Sequence, residues 1–437
     1  LFRLTMTDTP QHDRSTDSTP ASTFTGETRA QATQIGLILA IGSLFSLLLV
    51  AQVSLAPQVQ SETELRHSST VLADMQEIQA DRGVVADGAD GQASVLRMGD
   101  SYPTYLILAQ PPGPYGTLNT EDAGRLTVTG ATATNPSAAD HFDGSPIARE
   151  TTALEYTPGY HQYDAPTTRL AQGVLTEEYS DHAEPVAGGE VVDGRNLNLV
   201  WTTGDIAASQ TKPLTLRTEG LSTSDRAVRV EQSTETPIRV RFETTLSERR
   251  WRELLAAEID DDTTPAAPDS DGDGRYVTGV EKSDGTLTVS LETGVSYRLD
   301  MATVGWRTGH QPGFPDDSEP EPAYLATDDR TPVVTEGTTT RLTARVVDGY
   351  ANPQPDVPVT ARVETDGRLA GGATSRDRLS AGDGTVTFEY TAPEVTRPTS
   401  EASEQTERVR VTLPEATGGN DDPRVVVFEI RVQNTHD

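Results

Sequence analysis

The stretch IGLILAIGSLFSLLLVAQV, Ile35 to Val53, sets the first limit on what this chain can be. It holds no charge, and as a helix its residues span about 28 Å, enough to cross the hydrocarbon of a bilayer. It exceeds the 7–15-residue apolar region of a cleaved secretory signal, and no small-x-small site comes cleanly before QVQSETELRHSS. The expectation is therefore a retained membrane-spanning helix over residues 31–56, with residues 35–53 in lipid. Gly36, Gly42, Ser43 and Ser46 suit close helix packing there. Arg29 lies just before the run, while Arg66 and Arg82 lie further behind it. That bias places the N-terminus inside and the rest outside, as a single-pass protein of the cell membrane with extracellular C-terminal domains.

Composition bounds the rest of the chain. The 437 residues suggest two or three domains. Acidic residues number 67 against 35 basic ones, a net charge of -32, and Lys212 and Lys282 are the lysines. A chain this acidic is not expected to bind nucleic acid, which needs lysine and arginine to displace counterions. There is no cysteine, so disulfides, thiolate nucleophiles and cysteine zinc sites are excluded. Low aromatic content with abundant threonine, valine, glycine and proline favours β-sandwiches over helical bundles.

Residues 1–30 are rich in Ser, Thr, Asp and Pro and read as a disordered tail or pre-sequence. Over residues 57–82, Leu65, Val71, Leu72, Met75 and Ile78 fall near helical spacing and predict an amphipathic helix on the next domain. From residue 91 to 305 the period becomes two, in runs such as SVLRM, TYLILA, RLTVTG, NLNLVWTT, LTLRT, IRVRFET and TLTVSLE. That predicts an antiparallel β-sandwich. One helix interrupts it, with Ser247 as N-cap and Trp251, Leu254, Leu255 and Ile259 on one face. Residues 306–330 are proline-rich and acidic and read as a linker. Residues 331–437 give five further strands. The fold class expected is mainly β: an N-terminal transmembrane α-helix, then two antiparallel sandwich domains.

Two motifs carry resemblances. RLTARVVDGYANPQPDVPVTARV with DGTVTFEY beyond it resembles the bacterial Ig-like domain of invasin-type adhesins. The shared features are a strand ending Val347-Asp348, a turn at Gly349, Asn352 and Pro353, and the strands PVTARV and DGTVTFEY. This resemblance implies an Ig-like second domain that acts outside the cell as a spacer or binding module. RAQA before the apolar run is similar to the cleavage motif of archaeal type IV prepilins. It implies processing at Arg29-Ala30-Gln31, with Gln31 as the new N-terminus and the helix as anchor and polymerisation core. Pilins of that family carry a glutamate near the fifth mature position; here the neighbouring polar residue is Gln34, the fourth. The acidic, lysine-poor balance, with a pilin-like N-terminus before β-domains, resembles surface proteins of salt-loving archaea.

Chemistry is thinly represented. DSDGDGRYVTGVE opens like a calcium loop, and Asp269, Asp271 and Asp273 are the ligands it would supply. The closing twelfth position is Val280, with Glu281 one residue late, so calcium is expected to bind weakly or not at all, and no other cofactor is expected. His141, His161 and His182 form no H-x-x-x-H or H-E-x-x-H pair. No G-x-S-x-G or P-loop occurs. Trp201, Trp251 and the aromatics of GYHQYD read as packing residues rather than ligand platforms. The expectation is a non-enzymatic surface protein with an adhesive, envelope-structural or minor pilin-like role. The alternative is a ligand- or partner-binding accessory subunit of a surface complex. Partners are membrane lipid and other surface proteins or pilus subunits.

Overall fold

A computed structural model describes residues 27–104, 111–223, 226–232, 236–260, 274–309, 314, 320–395 and 404–433. The chain divides into two units, Leu1–Val59 with Pro103–Gln110, and Gln60–Tyr102 with Pro111–Asp437. The predicted strand TYLILA falls mostly outside the described residues, as does the N-terminal tail up to residue 26.

In the first unit the apolar run is helical. It belongs to a 60-residue helix, Glu27–Ala86, which contains Pro57. The sequence pattern predicts a break between a spanning helix and a second helix at residues 56 and 57. The structure has one helix across this point, with Pro57 taking one N–H out of the ladder and its ring crowding the carbonyl of Val53. The run is long and apolar enough to cross a membrane, and Ile35, Leu37, Ile38, Leu39, Leu47 and Val50 are all exposed. Ser46 Oγ donates to the Gly42 carbonyl and Ser54 Oγ to that of Val50, each at 2.9 Å. These hydroxyls therefore need no partner outside the helix.

The second unit is mainly β, built as two sandwiches. In the first sandwich, strand Tyr297–Thr308 lies at the centre of a seven-stranded sheet. Leu214–Ser222 and Val228–Gln232 pair antiparallel with its two halves on one side, and Asn196–Gly204 runs parallel on the other. The facing sheet has nine strands, centred on Tyr115–Thr129 and Ile147–Gly159. Alternation sets the buried faces: Leu287, Val289 and Leu291 of TLTVSL point inward against Leu197, Leu199 and Trp201. Trp201 and Trp251 are both core residues, as expected. The short helix is present as Glu248–Leu254. Ser247 Oγ accepts from Arg250 N at 3.3 Å, and Trp251 Nε1 donates to Thr244 Oγ1 at 3.0 Å.

In the second sandwich, a sheet of Pro322–Ala326, Thr339–Asp348, Thr385–Thr391 and Arg368–Leu369 faces a five-stranded sheet centred on Glu404–Thr412. Leu342, Val346, Phe388, Val409, Phe428 and Ile430 fill the space between them. Two parts of the predicted linker, residues 306–330, are structured: Trp306 to Thr308 end the central strand Tyr297–Thr308, with Trp306 buried, and Pro322–Ala326 is an edge strand on Thr339–Asp348, with Tyr324 and Leu325 buried. Prolines and acids mask the second part in the sequence, yet an edge strand tolerates proline because its outer N–H groups need no partner.

Candidate functional site

Two constructions in the second unit are built from buried polar groups, and buried polar groups mark where a fold is specified rather than merely collapsed. The first is the seat of the long helix. Its segment beyond Gln60 closes one end of the first sandwich. Val71, Met75 and Ile78 lie on one face, three or four residues apart, and meet Leu96, Leu216 and Trp306 of one sheet and Leu118, Leu154 and Leu170 of the other.

Around that apolar stripe successive turns carry polar locks. Glu64 is fully buried. Its carboxylate accepts from the Tyr102 hydroxyl and from three consecutive amides, His161 at 2.7 Å, Gln162 at 2.9 Å and Tyr163 at 2.6 Å. Burial pushes the Glu64 pKa up, but these donors outweigh it and hold the group below its ordinary value. One turn on, His67 Nε2 donates to the Arg97 carbonyl at 2.9 Å, so Nδ1 accepts from the Tyr160 hydroxyl at 2.7 Å. Burial holds this imidazole below its usual pKa, in keeping with the neutral form. Asp74 takes the Arg97 backbone N–H at 2.9 Å and its guanidinium through two nitrogens. Gln79 donates to Gly173 O at 2.8 Å, and Arg82 to Val200 O at 3.0 Å. Burial pushes the Arg82 pKa down to about 10, which leaves it charged at neutral pH.

The second construction joins the two sandwiches. Val347 and Tyr350 of the second domain and Tyr324 of its edge strand enter the core of the first. Tyr350 meets Trp201 with ring centroids 4.9 Å apart, and Arg149 lies over the same ring at 5.3 Å. Tyr324 stacks on His141 at 4.9 Å, and His141 Nε2 donates to Gly349 O at 3.2 Å. At the centre Asp348 is fully buried. Its Oδ1 accepts from Tyr350 N at 2.8 Å and Asn352 N at 2.9 Å, and its Oδ2 accepts from the Ser222 hydroxyl. Asn352 Nδ2 then donates to Ser222 Oγ and to Met301 O, each at 2.8 Å. Burial raises the Asp348 pKa despite these donors. The turn that resembles an invasin-type motif is thus also the plate of the joint.

The residues singled out from sequence are not brought together. Asp269, Asp271 and Asp273 lie outside the described residues. Ala30 and its neighbours fall in the first turns of the long helix. His141 is in the joint, His161 contributes its amide to Glu64, and His182 pairs with Asp181 at 2.7 Å. Among the described residues no three His, Cys, Asp or Glu are placed to hold a metal. Sequence reasoning misses Glu64 because three of its four donors are backbone amides, which leave no mark in residue type, and it names Asp348 only as part of a turn motif because Ser222, whose hydroxyl donates to its carboxylate, is 126 residues away.

No protein-family model matches the chain, and no curated protein matches it in sequence. Solved structures similar to it include domains 4 and 5 of the S-layer protein SbsC, at 10% identity and a TM-score of 0.18, covering 34% of this chain and 65% of that one. This chain therefore spans just under two thirds of the SbsC chain it matches. The D00–D0 domain of intimin matches at 11% identity and a TM-score of 0.21, covering 37% of this chain and 76% of that one. Native Escherichia coli alpha-2-macroglobulin matches at 10% identity and a TM-score of 0.18, covering 79% of this chain and 32% of that one.

Proposed function

We propose that this chain is a membrane-anchored surface protein whose two β-sandwiches stand outside the cell in an adhesive or envelope-structural role, without catalysis. The observation that carries the reading is the exposed apolar surface of Ile35–Val53, a charge-free helical run long and apolar enough to cross a bilayer. Leaving such a surface in water costs roughly 25 cal/mol per Å², whereas a bilayer accepts it. The polar locks around Glu64, His67 and Asp74 support a structural purpose for the helical segment beyond Gln60, because they fix its rotation and register against the sandwich. The buried joint at Asp348 supports the same purpose, since it couples two domains that an unstructured linker would leave independent. The acidic surface suits a salt-rich exterior. Processing after Ala30 and a minor pilin-like role belong to this proposal as its finer form.

The test is fractionation with protease shaving of intact cells, then mass spectrometry of the mature N-terminus. The reading expects membrane-bound protein that loses peptides from beyond residue 60. An N-terminal peptide starting at Gln31 supports the pilin-like form; one that reads through Arg29-Ala30 removes that form and leaves the anchor.

A further inference from the structure

A groove of about 480 Å³ lies beside the joint, between the strand Val228–Gln232 and the strands Pro322–Ala326 and Thr339–Asp348. Its walls hold Arg226, Arg229, Arg298 and Arg345, and no carboxylate lines it among the described residues. In a chain where acids outnumber bases 67 to 35, Arg229, Arg298 and Arg345 around one groove with no lining carboxylate among the described residues run against the composition. Arg229 and Arg298 are direct cross-strand partners on the outer face of the sheet. Like charges so placed destabilise a sheet unless something lies between them. Both side chains are exposed, and neither forms an ion pair with a described residue. Arg345 adds a buried Nε that has no hydrogen-bond acceptor among the described residues. Tyr324, Val228 and Val347 give the groove an apolar floor.

We propose that this groove binds a tetrahedral oxyanion, a sulfate or phosphate ester, presented on a saccharide. Guanidinium forks match such oxygens through paired hydrogen bonds. An ester with several terminal oxygens can bridge Arg229 and Arg298 and reach Arg345, which a lone carboxylate does less well. The apolar floor accommodates the carrier, as in ligand sites where a few polar groups orient an otherwise apolar contact. Every residue of the groove lies in the second unit, so oxyanion binding stands or falls independently of the membrane anchor.

The experiment uses the full chain in non-ionic detergent, at a salt concentration where circular dichroism shows the fold intact. A sulfated oligosaccharide and its desulfated counterpart are titrated by calorimetry, with inorganic sulfate and phosphate as separate arms. Saturable binding of the sulfated form is expected, with no binding of the desulfated form. The variant Arg229→Gln/Arg298→Gln should lose at least tenfold in affinity, while Arg241→Gln, an exposed arginine on the opposite sheet, should stay within twofold. Because the double variant removes opposed positive charges, its melting temperature should hold or rise, which separates lost binding from lost folding. Displacement by inorganic sulfate at similar affinity assigns the site to the free ion; failure of the inorganic ions to compete assigns it to the ester on its carrier. Either confirms oxyanion recognition. The proposal is overturned if neither the sulfated oligosaccharide nor the inorganic ions bind, if the desulfated form binds equally, or if the double variant keeps wild-type affinity.

Discussion

Replacing Glu64 with glutamine tests whether the long helix is held by its polar locks. The change is nearly isosteric, so packing is preserved and only the acceptor chemistry differs. In the wild type two carboxylate oxygens receive four donors, three of them backbone amides that cannot move away. Glutamine keeps one carbonyl oxygen and turns an NH2 group towards the remaining donors. Two charge-assisted bonds are lost, at about 1.5 kcal/mol each, for a total near 3 kcal/mol. For a domain of this size that corresponds to a fall of about 6–12 °C in melting temperature. The sign of the pH dependence comes from the depressed folded pKa: stability from Glu64 is fully present above its ordinary value of 4.5 and is lost as pH falls through the lower folded value. Scanning calorimetry of the full chain in detergent should therefore show a gap between wild type and Glu64→Gln that is constant from pH 8 to pH 5 and closes below that. A variant within 2 °C of wild type at pH 7, or a gap unchanged at pH 3, would mean that the carboxylate does not hold the helix.

Met75→Ala removes a fully buried side chain from the same seat and should cost about 2–5 kcal/mol, read by chemical denaturation. At the joint, Asp348→Asn should stay within about 1 kcal/mol of wild type at pH 7, because the backbone donors to Oδ1 are kept and a desolvated charge is removed. Asp348→Ala leaves those amides unsatisfied and should lose about 2–3 kcal/mol. The raised folded pKa of Asp348 means its contribution is fully present below the ordinary value of 3.8 and fades as pH rises through the folded value. Wild type should therefore gain stability relative to Asp348→Asn on acidification, and a gain on raising the pH would rule out that placement of the charge. With a net charge of -32, the melting temperature should fall as salt drops from molar to tenth-molar; an unchanged or rising value would count against self-repulsion of the acidic surface.

Elements are legible in the sequence where their interactions leave a periodic trace. TLTVSL and RVVVFEIRV alternate cleanly because one face of each meets a core, and both are strands. The apolar run and the Ser247 cap are legible for the same local reason. Ile147–Gly159 is not, because its start at Ala148, Arg149 and Glu150 is exposed and its buried part opens on the polar Thr151, leaving Ala153, Leu154 and Tyr156 as its apolar buried residues. Tyr115–Thr129 shows only at its RLTVT end, since its register shifts between Asp122 and Arg125, where Gly124 has φ +71°. The joint is hidden because Val347 and Tyr350 belong by sequence to one domain and by burial to the core of another. The aromatics between Tyr160 and Tyr163 suggest packing, whereas the amides of this segment hold Glu64, a role that depends on backbone direction alone.

Anchoring of outward-facing sandwiches by the N-terminal helix can be decided by shaving intact cells with protease and mapping the released and retained peptides. Peptides from residues 60–437 should be released while a fragment containing Ile35–Val53 stays with the membrane. Recovery of the protein from the medium without that helix, or full protection of residues 60–437 in intact cells, would show that the sandwiches are not held outside the cell by this anchor.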